Sequence, residues 1–300
     1  MDKIQLFTNR PGTQLLNYKV GDTSIYMKRD DLLDFAFGGN KVRLFEYIAA
    51  DAVKQGAEKI ITFGSIHSNH IRVAAATAYK LGIACDLILL YEDEKENGIN
   101  TPNLRLVKYC KGVHVVYCST EEAHDFIDHY QQEQELKGCK YYWIPGGGHT
   151  ALAAQGYVDA AAEILDQMKD RQIDAIFLPC GTGTTQAGVL AGIGGCIPVY
   201  GVTVARTVER CRDEIAALLR EMGNTEIKEE DIHVLRSGVR YGGSSEELDE
   251  MISGLVQSDG IFLDPVYNAK SFLEMTRYIG AHPEIKTAVY INTGGSPNLF

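Results

Sequence analysis

Short runs of Ile, Val, Leu and Phe without polar alternation recur along the chain at Ser24–Lys28, Lys59–Phe63, Cys85–Leu90, Val113–Tyr117, Tyr141–Ile144, Asp174–Pro179, Pro198–Val204, Ile261–Leu263 and Thr287–Asn292. Such runs predict strands buried on both faces of a parallel sheet. Helical spacing fills the intervals. Ala154, Tyr157, Val158, Ala161, Ile164, Leu165 and Met168 recur at three- and four-residue steps, the period of an amphipathic helix. Leu44, Phe45, Ile48 and Ala52 repeat after Lys41 and stop at Gly56, and a further stretch from Ser68 to Leu81 stops at Gly82. Both glycines suit a left-handed helix cap. Strand–helix alternation throughout predicts an α/β, doubly wound architecture: open, twisted, mostly parallel sheets flanked by helices.

A chain of 300 residues suggests about two lobes and buries enough surface to need no staple. No proline- or serine-rich linker separates two halves, so two lobes would mean a chain that crosses between them more than once. The hydrophobic fraction of 45% and charged fraction of 23% exclude disordered, collagen-like and coiled-coil classes. A net charge of −11 argues against nucleic acid or an anionic membrane surface as partner. Seven cysteines without a CxxC pair read as free thiols in a reducing compartment. The first residues lack a signal-peptide core and no apolar run approaches 18 residues; a cytoplasmic protein is expected.

Ligands of open parallel sheets gather beyond the carboxyl ends of strands, so the strand-to-helix junctions are informative. Gly38-Gly39-Asn40-Lys41 opens a helix; its glycines allow close backbone approach, and its lysine faces the positive end of the helix dipole. Such a lysine suits a Schiff base to a carbonyl cofactor, or is a surface residue after a turn. Gly64-Ser65-Ile66-His67-Ser68-Asn69-His70 offers Ser68 as N-cap, with free first-turn amides that can hold a carboxylate or phosphate. No Asp, Glu or Cys completes a metal set with His67 and His70, so no metal is expected. Gly181-Thr182-Gly183-Thr184-Thr185 reads as a phosphate cradle or a tight turn. It is neither a Walker loop nor, with Gln186 at the third glycine position, a dinucleotide fingerprint. Thr293-Gly294-Gly295-Ser296 brings a hydroxyl and bare backbone to the same edge, and Ile144–Thr150 adds a glycine loop carrying His149. Asp30 and Asp31 should point apart, and Trp143 should be core.

Together these motifs resemble the fold-type II, tryptophan-synthase-β-like pyridoxal-phosphate enzymes, and within them the D-cysteine desulfhydrase and aminocyclopropane-carboxylate deaminase branch. The resemblance rests on Lys28-Arg-Asp-Asp31, Gly38-Gly-Asn-Lys-Val-Arg43, Ser68-Asn-His70, Gly181–Gln186, Tyr241-Gly242, Asp264-Pro-Val-Tyr267 and Thr293-Gly-Gly295, in the family's order along nearly the whole chain. It implies a two-lobed fold with a large cofactor-binding domain from 1–46 plus 152–300 and a small inserted domain over 47–151. It implies that Lys41 holds pyridoxal 5'-phosphate covalently, that Asn69 bonds the ring's 3-oxygen, and that Gly181, Thr182, Gly183, Thr184 and Thr185 bind the phosphate. Tyr267 would stack on the ring and Thr293 would meet the ring nitrogen. Ser68, Asn69 and His70 would take the substrate carboxylate, with Tyr241 near the substrate. Homodimers are usual in the family.

The implied activity is β-elimination from a small β-substituted amino acid, D-cysteine first, with Lys41 as the base. The cyclopropane deaminases resemble this chain but carry Glu after the stacking tyrosine, where Asn268 stands here, and a neutral Thr293 suits prompt elimination. His67 and His149-Thr150 depart from the family's pattern. A pocket-facing His149 would favour an acidic substituent such as that of L-cysteate. Ring-opening deamination, β-replacement and racemisation are the rival reactions; a nucleotide-binding oxidoreductase or a non-catalytic ligand-binding protein are the rival classes.

Overall fold

A computed structural model describes residues 2–240 and 242–300; Tyr241, expected near the substrate, lies outside the described residues. Along the chain run β1 (Thr13–Leu15), β2 (Ser24–Arg29), α1 (Asn40–Lys54), β3 (Lys59–Ser65), α2 (Asn69–Leu81), β4 (Ala84–Tyr91), α3 (Pro102–Val107), β5 (Val113–Ser119), α4 (Ala123–Leu136) and β6 (Tyr141–Ile144). They continue with α5 (Ala151–Gln167), β7 (Ala175–Cys180), α6 (Thr184–Ile193), β8 (Val199–Thr203), α7 (Val208–Glu221), β9 (Ile232–Arg236), α8 (Glu246–Asp259), α9 (Asn268–Ala281) and β10 (Thr287–Asn292). The chain divides into two compact units, one of 7–40 and 150–299, the other of 1–6, 41–149 and 300. This division puts all of α1 after Asn40 with the smaller unit, whereas the sequence reading over 1–46 and 47–151 split that helix. Its buried face explains the difference. Gly148 lies against Leu44 and Ile48, and Phe45 against His70, all within the smaller unit.

The larger unit holds a sheet in the order β1-β2-β10-β7-β8-β9, parallel except for β1 against β2. Every residue of β7 is buried, as an interior parallel strand requires. On this sheet Phe177, Phe272, Tyr290, Leu248 and Ile25 form part of one core. The short helix α6 is apolar nearly all round and is buried from Thr184 to Leu190. Gly188 lets α5 approach it: a Cβ there would sit 2.6 Å from the Tyr157 Cβ and closer still to the Ala154 carbonyl. In the smaller unit the sheet runs β5-β4-β3-β6, wholly parallel. Helix α2 starts on Ser68, whose hydroxyl accepts from the His70 amide, and ends on Gly82 at φ 72°.

Ile261–Leu263 is not a strand. Ile261 and Leu263 are buried in the core beside Phe272, and interior loop residues mimic a buried strand when only hydrophobicity is read. Sequence reasoning missed two edge strands. β1 spans three mostly exposed residues, and β9 follows directly on the acidic run ending at Asp231. Trp143 is partly buried against the smaller core, stacked on Phe63 at 5.8 Å. Asp30 and Asp31 do diverge. Asp30 accepts from the Tyr157 hydroxyl at 2.7 Å, and Asp31 pairs with Arg29. No helix among the described residues is long and apolar enough to cross a membrane.

The contact at Gly188 yields a stability prediction. Gly188→Ala should destabilise the protein by about 2–3 kcal/mol, since the new methyl meets backbone that cannot yield. Urea unfolding should show the midpoint falling with an unchanged slope.

Candidate active site

Three of the unusual loops meet inside the larger unit. The backbone from Ala36 to Gly39 is left-handed at four successive residues, φ 46°, 61°, 64° and 96°. Ala36 and Phe37 carry side chains there, so the turn is strained. Hydrogen bonds hold it: the Gly38 amide donates to Phe35 and the Gly39 amide to the Asp30 carbonyl, both at 2.8 Å. Beyond the turn the Asn40 amide donates to the Thr293 carbonyl at 2.9 Å. A Cβ on Gly39 would lie 2.7 Å from that carbonyl, and one on Gly294 would lie 2.5 Å from the Gly39 Cα. Both positions therefore require glycine.

The third loop joins through a side chain. Asn40 Nδ2 donates to Thr185 Oγ1 at 3.0 Å. Gly183, at φ 82°, stands where α6 would take an N-cap and has no side chain to supply one. The first turn of this buried helix therefore has no side-chain cap, and a helix start of that kind suits an anion. The hydroxyls of Thr182 and Thr184 lie 3.1 Å apart, and no acidic residue enters that turn.

Asn268 fastens the Thr293–Gly294 segment. Its Nδ2 donates to the Gly294 carbonyl and to Asp264, both at 2.6 Å. Its Oδ1 accepts from the Thr293 amide at 3.0 Å and the Thr293 hydroxyl at 3.4 Å, and the Tyr290 hydroxyl donates to the Asn268 backbone carbonyl at 2.8 Å. Asp264 in turn accepts from the amides of Val266, Tyr267 and Asn268 at 3.1, 2.8 and 3.0 Å, which fixes the backbone at Tyr267. Burial pushes the Asp264 carboxyl up, against those donors, which pull it down.

The remaining expected residues belong to the smaller unit. Lys41 follows Asn40 directly, in the first turn of α1, and its Nζ donates to the Gly147 carbonyl at 2.7 Å. Ser68, Asn69 and His70 sit at the start of α2. His70 is 0% exposed, within the interior rather than at an opening. Thr62 donates its hydroxyl proton to the Ile144 carbonyl at 2.7 Å, so its oxygen accepts from His70 Nε2, also at 2.7 Å. That fixes a neutral ring protonated on Nε2, and Nδ1 has no hydrogen-bond partner among the described residues. Burial, with a smaller contribution from Lys41, lowers the His70 pKa from 6.5 to about 3. His149 closes the glycine turn ahead of Thr150, whose hydroxyl caps α5.

Sequence reasoning quoted Asn40, Asp264 and Asn268 within motifs but gave none of them a structural task. It passed over Arg72 and Asn103, which hold Asn69 (Asn69 Oδ1 accepts from both). An arginine inside the apolar stretch Ile71-Arg72-Val73-Ala74-Ala75 was the available signal, because a buried guanidinium demands polar partners.

A family described as pyridoxal-phosphate dependent enzyme matches residues 8–294. A D-cysteine desulfhydrase of Yersinia pestis (strain Pestoides F) is 34% identical over 296 residues, covering 92% of this chain and 88% of the relative. One from Klebsiella pneumoniae (strain 342) is 35% identical with the same coverage. A solved structure described as an ACC deaminase homologue superposes with a TM-score of 0.87 at 28% identity, covering 100% of this chain and 93% of the other. The residues present fit the cofactor of that family: a lysine follows the Gly-Gly-Asn turn, and a helix start lacking any side-chain cap suits a phosphate.

The burial of His70 gives a pH prediction. The unfolded chain binds a proton here below pH 6.5, while the folded chain refuses it until about pH 3. The stability contributed is complete above pH 6.5 and is lost as pH falls toward 3. Between pH 7 and pH 5 this group should remove ~2 kcal/mol. Denaturant unfolding across that range should show a shallower acid dependence in His70→Asn than in the parent.

Proposed function

The chain belongs to the pyridoxal-phosphate dependent enzyme family, and from that premise we propose a lyase that eliminates the β-substituent of a small amino acid, D-cysteine first. One observation carries the reading: the lysine able to hold the cofactor is bonded in sequence to Asn40, and Asn40 is hydrogen-bonded to Thr185 in the phosphate loop. The relatives named D-cysteine desulfhydrase support the choice of substrate.

In this reading Gly181–Thr185 bind the phosphate through the amides and hydroxyls at the start of α6. Asn69 would donate to the ring's 3-oxygen, and Tyr267 and Thr293 would hold the ring. When bound, the cofactor supplies the electron sink for the broken Cα–H bond. Ser68 and the first-turn amides of α2 would take the substrate carboxylate. Lys41 Nζ would hold the cofactor and, once freed, would remove the proton from the substrate Cα. Its former covalent attachment keeps it in reach of that proton.

The Cβ–S bond then breaks, sulfur leaves as sulfide, and the released 2-aminoacrylate hydrolyses with one water to pyruvate and ammonia. A neutral hydroxyl at the ring nitrogen stores negative charge less well than a carboxylic acid would, which favours prompt loss of the leaving group over slow rearrangement. The Asn268 amide, saturated by its own hydrogen bonds, supports assigning the ring nitrogen to Thr293. His149 is proposed to contact the substituent. A homodimer in the cytoplasm completes the reading, supported by the family resemblance and by seven cysteines that are all free.

Protein loaded with pyridoxal phosphate should release sulfide and pyruvate in equal amounts from D-cysteine. It should release no 2-oxobutanoate from aminocyclopropane carboxylate. Absence of pyruvate from every D- or L-alanine bearing a β-leaving group rejects the elimination.

A further inference from the structure

Helix α2 carries a buried cation whose function the reaction above does not use. Arg72 is 3% exposed, and no carboxylate among the described residues pairs with it. Its Nε donates to Asn103 Oδ1 at 2.9 Å and its Nη2 to Asn69 Oδ1 at 3.4 Å. Asn103, itself 0% exposed, donates through Nδ2 to the His67 carbonyl at 2.9 Å and to Asn69 Oδ1 at 3.3 Å. Thr101, the cap of α3, donates to the Ile66 carbonyl at 2.6 Å. The start of α3 therefore pins the backbone before Ser68 at two successive carbonyls.

This arrangement decides which way the Asn69 amide points. Two donors converge on its oxygen, and a flipped amide would set NH2 against both. Its Nδ2, which makes no hydrogen bond to described protein atoms, is the end left for a ligand, and it can only donate. Leaving a guanidinium buried without a counter-charge is costly, and burial lowers the Arg72 pKa to about 10. An anion at Asn69 offsets that cost, because the positive charge behind the amide strengthens its N–H as a donor.

We propose that Arg72 and Asn103 are positioning residues which aim and polarise the Asn69 amide toward an oxyanion, the 3-oxygen of the bound cofactor's ring. The inference rests on the reading that Asn69 meets this oxygen. Arg72 and Asn103 act through Asn69 and touch neither cofactor nor substrate. With the cofactor bound, a donor aimed in this way would favour the ionised form of the ring's 3-oxygen, to which the visible absorption responds.

The test uses the absorption spectrum of the pyridoxal-phosphate-loaded protein without substrate, together with its dissociation constant for pyridoxal phosphate. Arg72→Met removes the charge. Asn103→Asp is isosteric, keeps Arg72 paired and so guards against a fold lost with the arginine, while it neutralises the guanidinium and repels Asn69 Oδ1. In both variants the visible band should lose intensity to a near-ultraviolet band, and the dissociation constant should rise roughly tenfold or more. Asn69→Ala should do the same and tests the premise. If Asn69→Ala shifts the band while folded Arg72→Met and Asn103→Asp keep the parent spectrum, the positioning proposal is overturned and the premise stands. If Asn69→Ala leaves the band in place, premise and proposal fall together.

Discussion

Two glycine backbones in contact, Gly39 against Gly294, set the geometry on which the rest depends. Neither position tolerates a Cβ, and the Asn40 amide completes the join on the Thr293 carbonyl. The strained left-handed run over 36–39 brings the chain to that contact. Asn40 then bonds Thr185, so the residue preceding Lys41 is fixed on the Gly181–Thr185 loop. The amine's starting point is set by backbone packing, which side-chain rotamers cannot loosen.

Each unit buries polar groups that would be costly unless their hydrogen bonds were made or their charge removed. Asp264 and Asn268 are saturated by amides and by one another, and they tie the turn before α9 to the end of β10. His70 meets the same cost by staying neutral. Arg72 cannot neutralise itself so readily and relies on two asparagine side chains. The contrast is informative: the Asp264–Asn268 network is closed on itself, while His70 Nδ1 has no hydrogen-bond partner among the described residues.

The alternation of apolar runs and helical spacing made the parallel sheets legible, because strands such as β7 are buried on both faces. The unusual loops were legible from glycines at strand ends, and Gly39, Gly183 and Gly294 all have positive φ. Short edge strands were not. β1 pairs through its backbone with mostly exposed side chains, and period and hydrophobicity carry no record of pairing. Ile261–Leu263 failed for the opposite reason, burial without a strand partner. The supporting residues Asn40, Asn268, Arg72 and Asn103 also escaped, since their importance lies in hydrogen bonds between segments distant in sequence. Asn40 to Thr185 spans 145 positions.

The central claim is that the amine following the Gly-Gly-Asn turn carries the cofactor. Borohydride reduction of the pyridoxal-phosphate-loaded protein, followed by peptide mapping, tests it most directly. The account predicts one labelled peptide, with the label on Lys41. A label on Lys28, Lys270 or any other lysine, or a protein that takes no label, contradicts it.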